Sequence, residues 1–288
     1  MTRQQITSLI QMTIYKFIRK NISKKYRRVL DQWSYNRSRK DWVGEKLHCP
    51  TCSSSLNGFI HLKDICDGIF LNSVEMSGVT YPPSQFETFN FENFMCPICG
   101  STDRGRLYAQ YFKQRLAGST EKIRVIHFAP DNGLREFLQR HPKVDYKTAD
   151  LFVPNVDYCF DLRAMPEMPT DSLDCFICSH VLEHIIEDDL AMAELFRVLK
   201  PGGWGIMMVP IMMGLDKTHE DPTIVSKEAR VKAYGVEDHV RMYSKTDYLA
   251  KLKQAGFKVQ ELGGEFFGEA LFKSIGVSPT SVLYVVEK

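Results

Sequence analysis

The period of the apolar positions changes twice along the chain. Ile6, Leu9, Ile10, Ile14, Phe17, Ile18, Ile22, Tyr26, Val29, Leu30 and Trp33 recur at steps of three and four, which predicts an amphipathic helix. From residue 123 onward the pattern alternates. β-Branched apolar runs at 123–129, 144–149, 156–160, 174–179 and 204–211 predict buried strands, the second ending at Asp150 and the third at Asp161. Helical patterns fall at 132–140, 186–199 and 246–255, and further strands are expected near 257–262 and 281–287. The run Val198-Leu199-Lys200-Pro201-Gly202-Gly203 reads as a helix stop and turn. Such alternation predicts an α/β fold with a doubly wound, mostly parallel sheet and an antiparallel pair at its edge.

Between these two regions the pattern is broken and cysteine takes over. His48-Cys49-Pro50-Thr51-Cys52 and Cys96-Pro97-Ile98-Cys99-Gly100 are two Cys-Pro-x-Cys knuckles. Each turn aims two sulfurs at one point, and Gly100 supplies the positive φ that lets backbone N–H groups face them. Four sulfurs make the tetrahedral set of structural zinc, so Cys49, Cys52, Cys96 and Cys99 are the expected metal ligands. The alternative is a redox pair or buried thiols. Cys66 is read as core, and His48 and His61 as structural. Short strands are expected around 59–62 and 86–94, and a helix over 104–116 whose Arg104 and Arg106 reach an anionic substrate or pair with neighbouring acids.

Composition refines this division. Of 37 Lys and Arg, eleven lie in residues 1–40 beside a single acid, Asp31; residues 41–288 hold 26 basic and 34 acidic side chains, a net of −8. The acidic body argues against a broad nucleic-acid footprint. The basic arm, residues 1–45, fits a helix on an anionic membrane surface, a helix packed on its own protein or a dimer mate, or a cleaved presequence. No secretory signal or membrane-spanning run is evident. Paired cysteines therefore imply a reducing, cytoplasmic setting, and the inner membrane face is the surface that the first of the three readings of the arm would use. The expected domains are the arm, a cysteine module over 46–103 and a catalytic domain over 104–288.

In a doubly wound sheet, ligands bind at the carboxyl ends of the strands. After the first strand comes His127-Phe128-Ala129-Pro130-Asp131-Asn132-Gly133, a sharp turn into a helix. Asp150 is placed to accept both hydroxyls of a ribose, and Asp161-Leu162 to meet an adenine edge. The fourth strand runs into Ser179-His180-Val181-Leu182-Glu183-His184. Cys175 and Cys178 form a third C-x-x-C on that strand and read as core thiols.

The segment Asp171-Ser172-Leu173-Asp174, then Ser179-His180-Val181-Leu182-Glu183-His184-Ile185, then Glu194-Leu195-Phe196-Arg197-Val198-Leu199-Lys200-Pro201-Gly202-Gly203 resembles class I S-adenosylmethionine-dependent methyltransferases of the type 11 group over residues 120–288. The knuckles, the basic arm and Asp238-His239-Val240-Arg241 look like a bacterial subset associated with surface-polysaccharide clusters. The resemblance implies a Rossmann-like fold and S-adenosylmethionine as cofactor. It also implies that Phe128, Ala129, Asp131 and Gly133 border the methionine part, Asp150 the ribose, and Asp161 and Leu162 the adenine. Ser179 and His180 would lie beside the sulfonium, and Glu183 and His184 begin the next helix. One departure stands out: the family's first loop carries two or three glycines, and here only Gly133 remains.

For catalysis, the stretch 212–243 forms the substrate wall. His239, oriented by Asp238, is the expected base or substrate ligand and Arg241 the holder of an anionic group; a loop-anchoring network is the alternative. The leading function is methyl transfer to an oxygen or nitrogen of a small-molecule or glycan acceptor. An RNA methyltransferase with a zinc module and a degenerate, non-catalytic binding module are the competing readings.

Overall fold

The structure, a computed structural model, describes residues 41–65, 73–76 and 78–288. The expected arm helix and Cys66 lie outside the described residues.

The first element, β1 (Val43–Cys49), pairs antiparallel with β2 (Ser54–Leu56). It starts inside the stretch expected to belong to the arm. A second small pair, β3 (Val74–Met76) and β4 (Val79–Tyr81), follows. The strands expected at 59–62 and 86–94 do not form. Ile60 makes only a bridge to Met95, Leu62–Asp64 is a 3-10 turn, and Phe86 bridges to Met212. The two segments meet through irregular backbone bonds, Leu62 N–H to Phe91 O at 2.8 Å and Phe94 N–H to Ile60 O at 3.0 Å, too few and too unevenly spaced to make a ladder.

Helix α1 (Asp103–Arg115) leads into the main sheet, its N-terminus capped by Thr102 Oγ1 accepting from Gly105 N–H. Then come β5 (Ile123–Phe128), α2 (Asn132–Arg140), β6 (Val144–Ala149), β7 (Leu173–Ser179), α3 (Asp188–Val198) and β8 (Leu199–Met208). After β9 (His219–Glu220), α4 (Lys227–Tyr234), β10 (Arg241–Met242) and α5 (Lys245–Gln254), the chain closes with β11 (Lys258–Leu262), α6 (Gly264–Phe267), α7 (Glu269–Ser274) and β12 (Leu283–Glu287).

The six-stranded sheet has the order β11-β12-β8-β7-β5-β6. β6, β5, β7 and β8 are parallel, while β12 runs antiparallel to both β8 and β11. This is the doubly wound, Rossmann-like arrangement. The switch point, where connections leave in opposite directions, falls between β5 and β7. Both faces are covered. On one, Trp204 of β8 meets Tyr111 and Phe112 of α1 at 5.3 and 5.0 Å between ring centres. On the other, Phe257 packs on Phe196 of α3 and Phe176 of β7. Cys175 and Cys178 are fully buried in β7, and burial raises both thiols.

The strand expected at 156–160 is reduced to one bridge, Ala149 to Tyr158. The Asp157 carboxylate replaces a backbone ladder there: it accepts from Thr148 N–H and Thr148 Oγ1, each at 2.9 Å, and pairs with Lys147 Nζ at 3.0 Å.

The cysteine-bearing segments are locked to the sheet domain by Arg106. Its fully buried guanidinium donates to Ile275 O at 2.6 Å, Gly276 O at 2.9 Å, Ser101 O at 3.2 Å, Phe94 O at 3.3 Å and Asn93 O, and lies 3.7 Å over the Phe59 ring. All five of its N–H donors are taken by backbone carbonyls.

Candidate active site

Two cavities open at the carboxyl ends of β5, β6 and β7. The first, about 530 Å³, is walled by Phe128 and Ala129 after β5, Asp150 and Phe152 after β6, Asp161 and Leu162, and His180 and Ile186 beyond β7. The second, about 380 Å³, is mostly apolar, with Leu62, Phe86, Phe89, Phe94 and Ile211 along its sides and Arg104, Glu183 and His239 at its polar end. His180, His184 and Asp238 line both.

Local geometry explains the first cavity. Ala129 has φ +46° and donates its N–H to Ala149 O at 2.9 Å, so the chain turns away sharply at the tip of β5. An alanine here takes the left-handed conformation usually left to glycine. Asp150 Oδ1 accepts from Phe152 and Val153 N–H, both at 2.8 Å; Oδ2 makes no hydrogen bond among the described residues. Asp161 is held by Arg163, whose Nη2 is 2.7 Å from Oδ2, and the guanidinium keeps this carboxyl below its ordinary range. The same Arg163 pairs with Glu187 at 2.5 Å, closing one side of the mouth. Phe152, 87% exposed, flanks the other.

Three residues expected around the cofactor are turned elsewhere. Asp131 Oδ1 caps α2 by accepting from Leu134 N–H at 2.9 Å. Gly133 is buried against the cysteine module: a Cβ there would stand 2.6 Å from Ser101 Cα. Ser179 Oγ is spent on Tyr108 Oη at 2.8 Å. None of the three lines either cavity.

The junction is a chain of charged and imidazole groups. Arg104 Nη1 donates to His180 Nε2, which leaves the His180 proton on Nδ1, 3.2 Å from Glu183 Oε1. His180 has φ +56°, a conformation imposed as the strand end turns. Burial and the nearby Arg104 push its imidazole down to about 4, so it is neutral at pH 7. Burial alone would raise the Glu183 carboxyl, but facing His180, His239 and His184 hold it below its ordinary range. His239 Nε2 lies 3.9 Å from Glu183 Oε1, and its ring meets that of His184 edge-on at 4.7 Å.

The expected Asp238–His239 pair is therefore replaced by Glu183–His239. Asp238 instead faces His184, with Oδ2 3.4 Å from Nδ1. Arg241 is not free for a substrate either. Fully buried, it donates to Leu182 O at 3.0 Å, Ile186 O at 2.7 Å and Ile185 O, and pairs with Glu220 at 2.6 Å. It anchors the loop: with Val240 N–H on Glu183 O at 2.9 Å, it fixes His239 beside the 3-10 turn Leu182–His184. Glu183 and His184 thus sit in a turn of their own, and α3 begins only at Asp188. The sequence reading missed Glu183 because a lone acid in a polar run looks solvated. Its buried neighbour Leu182 was the one local sign of an inward turn.

Away from these cavities, the Sγ atoms of Cys49, Cys52, Cys96 and Cys99 lie within 4.8 Å of one another. Cys49–Cys99 is 3.7 Å and Cys52–Cys96 is 3.9 Å. A zinc ion with bonds of about 2.3 Å needs an edge of about 3.8 Å. Ile98 N–H points at Cys96 Sγ at 3.4 Å, and Gly100 takes φ +72°. The four thiols act on one another: their mutual contacts draw Cys49 and Cys52 down and push Cys96 and Cys99 up.

Residues 116–207 match the methyltransferase domain family. The match spans 92 of the 288 residues and takes in β5, β6 and β7, at whose carboxyl ends the 530 Å³ cavity opens. Among curated proteins the chain is similar to the ubiquinone/menaquinone biosynthesis C-methyltransferase UbiE of Salmonella paratyphi B and Salmonella newport. Each is 30% identical over 120 residues, covering 37% of this chain and 47% of the relative. The chain thus spans about half the length of the curated relatives it matches. Solved structures with a similar outline include a SAM-dependent methyltransferase from Archaeoglobus fulgidus (13% identical, TM-score 0.41, 66% of this chain and 95% of that one). Another is the CurJ carbon methyltransferase (14%, TM-score 0.43, 63% and 53%).

Proposed function

We propose that the chain moves a methyl group from S-adenosylmethionine to a small, largely apolar acceptor in the 380 Å³ cavity. The acceptor atom is an oxygen, or a carbon that an adjacent ionised oxygen activates. The observation that carries this reading is the meeting of the two cavities at His180, His184 and Asp238. A methyl donor in one cavity and an acceptor in the other would face each other across that junction.

The cofactor supplies a methyl group already activated on a sulfonium; the S–CH3 bond breaks with its electrons left on sulfur as the acceptor's bond to carbon forms. The protein's part is position and proton removal, and position alone is worth about 7–11 kcal/mol. Asp150 Oδ2 would take a ribose hydroxyl, Phe128 and Ala129 would border the methionine part, and Leu162 would cover the adenine. The acceptor's hydroxyl would point at the polar end of its cavity, where the Glu183–His239 pair takes the proton. The apolar walls disfavour a glycan, whose hydroxyls would go unpaired there. The relatives named for C-methylation favour the carbon outcome. An apolar acceptor also favours the membrane-surface reading of the basic segment 1–40.

In the same reading Cys49, Cys52, Cys96 and Cys99 hold a structural zinc ion, which keeps the module over 46–103 against the domain over 104–288. Its support is the match of the sulfur spacing to a tetrahedral edge.

Labelled S-adenosylmethionine offered with hydroxylated aromatic acceptors and with sugars tests the proposal. Turnover is expected on the aromatic, ionisable acceptors. His239→Ala should cut kcat about 100-fold or more while S-adenosylhomocysteine binding stays at the wild-type level. Methylation confined to sugars or RNA, or full turnover in His239→Ala, would contradict it.

A further inference from the structure

The junction holds more unsatisfied polarity than methyl transfer alone explains. Glu183 is fully buried, yet neither of its oxygens accepts a hydrogen bond of regular geometry, and His239 Nδ1 is also buried without a partner. An orphaned buried polar atom costs about 1–3 kcal/mol, and more when charged. The other buried orphans among the described residues fall one to a residue, on Thr51, Gln85, Asp103, Ser172, Tyr248 and Ser281. On Glu183 both oxygens are orphaned together, and His239 Nε2 faces Oε1 at 3.9 Å. His184 stands with them: one ligand atom from each of Glu183, His184 and His239 lies within 4.8 Å of the others.

We infer that Glu183, His184 and His239 bind a divalent transition-metal ion through one carboxylate and two imidazoles, distinct from the four-cysteine cluster. Two imidazoles and one carboxylate suit iron(II), zinc, cobalt(II) or manganese(II), and leave coordination positions open. The chain fixes two of the three ligands firmly. Glu183 is held in the 3-10 turn Leu182–His184, and His239 by the Arg241 anchor and the Val240–Glu183 backbone bond. His184, exposed at the cavity wall, supplies the adjustable ligand that draws in to bonding distance. Asp238 Oδ2, 3.4 Å from His184 Nδ1, is placed to hold that nitrogen and leave Nε2 for the ion. A carboxylate behind a metal-bound imidazole is the usual means of fixing its ring.

The open positions face the 380 Å³ cavity, where an acceptor's hydroxyl or carbonyl oxygen would complete the coordination. With the ion in place Glu183 and His239 are its ligands and no longer a proton-accepting pair; the cation instead lowers the pKa of the hydroxyl, so that it ionises to solvent, and orients it. The site itself rests on the ligand geometry; only this role rests on the methyl-transfer reading.

Cobalt(II) titrated into zinc-loaded full-length protein tests the site. We expect one equivalent beyond the zinc, with weak visible bands and no thiolate charge-transfer absorption. Glu183→Gln and His184→Ala should each weaken it at least 10-fold while circular dichroism and zinc content stay unchanged. His184 is at the surface, so its removal leaves the fold standing if Glu183→Gln does not. S-adenosylhomocysteine binding is read on the same samples. Cobalt binding without cofactor binding supports the metal site and sinks the methyl-transfer reading. No second equivalent, or one that both substitutions leave unchanged, overturns the metal site.

Discussion

Ala129 and Gly133 show how far single residues can be read from sequence. A loop with one glycine looks like a degraded cofactor site. In the structure Ala129 adopts the left-handed backbone itself, at a cost of about 1–2 kcal/mol, and Gly133 serves the contact with Ser101. Asp150, Asp161 and His180 were legible because strand ends announce themselves. Asp131, Ser179 and Arg241 were not, because sequence places a side chain without showing what it is spent on. His127 illustrates the same limit. Its Nδ1 accepts from Tyr146 Oη at 2.9 Å, and burial pushes the imidazole down to about 4. The unfolded chain takes up a proton below about pH 6.5 and the folded one resists until about 4. This contribution is therefore intact above pH 6.5 and is lost as pH falls toward 4, by about 3 kcal/mol in all. Urea unfolding at pH 7 and pH 5 should show a smaller loss for His127→Asn than for the wild type; equal losses would remove His127 as a cause.

Elements were legible where one period held over a full turn or strand. α1, α3, α5 and five of the six sheet strands fall within a few residues of their apolar patterns. The run at 156–160 failed because Asp157 and its neighbours satisfy β6 with a side chain, which no apolar count reveals. The cysteine-bearing segments failed for a related reason: sulfur, aromatic rings and the Arg106 clasp order them without long pairing. The contact between the α2 N-terminus and the second knuckle gives an element-scale prediction. Gly133→Ala brings a methyl group against the Ser101 backbone and should cost about 1–3 kcal/mol in urea unfolding. Because backbone is in the way, adding Ser101→Gly should not restore stability. Wild-type stability in Gly133→Ala would show the two segments free to separate.

At the scale of the molecule, the cysteine-bearing region does more than bring four sulfurs together. Leu62, Phe89 and Phe94 from it complete the apolar cavity, and Arg104, one residue into α1, reaches His180. The sheet presents the first cavity and the cysteine-bearing region supplies much of the wall of the second. Sequence showed two differently patterned parts and a doubly wound, mostly parallel sheet. It did not show that they share a site, since that depends on where α1 lays the knuckles. No helix among the described residues is long and apolar enough to cross a membrane. The most direct test of the whole account is calorimetric titration of S-adenosylhomocysteine into zinc-loaded protein, wild type beside Asp150→Ala. The account predicts one site per chain in the wild type and affinity at least 10-fold weaker in Asp150→Ala, the loss expected for a charged hydrogen bond to ribose. Folded wild-type protein that binds none, or an Asp150→Ala variant that binds equally well, would contradict it.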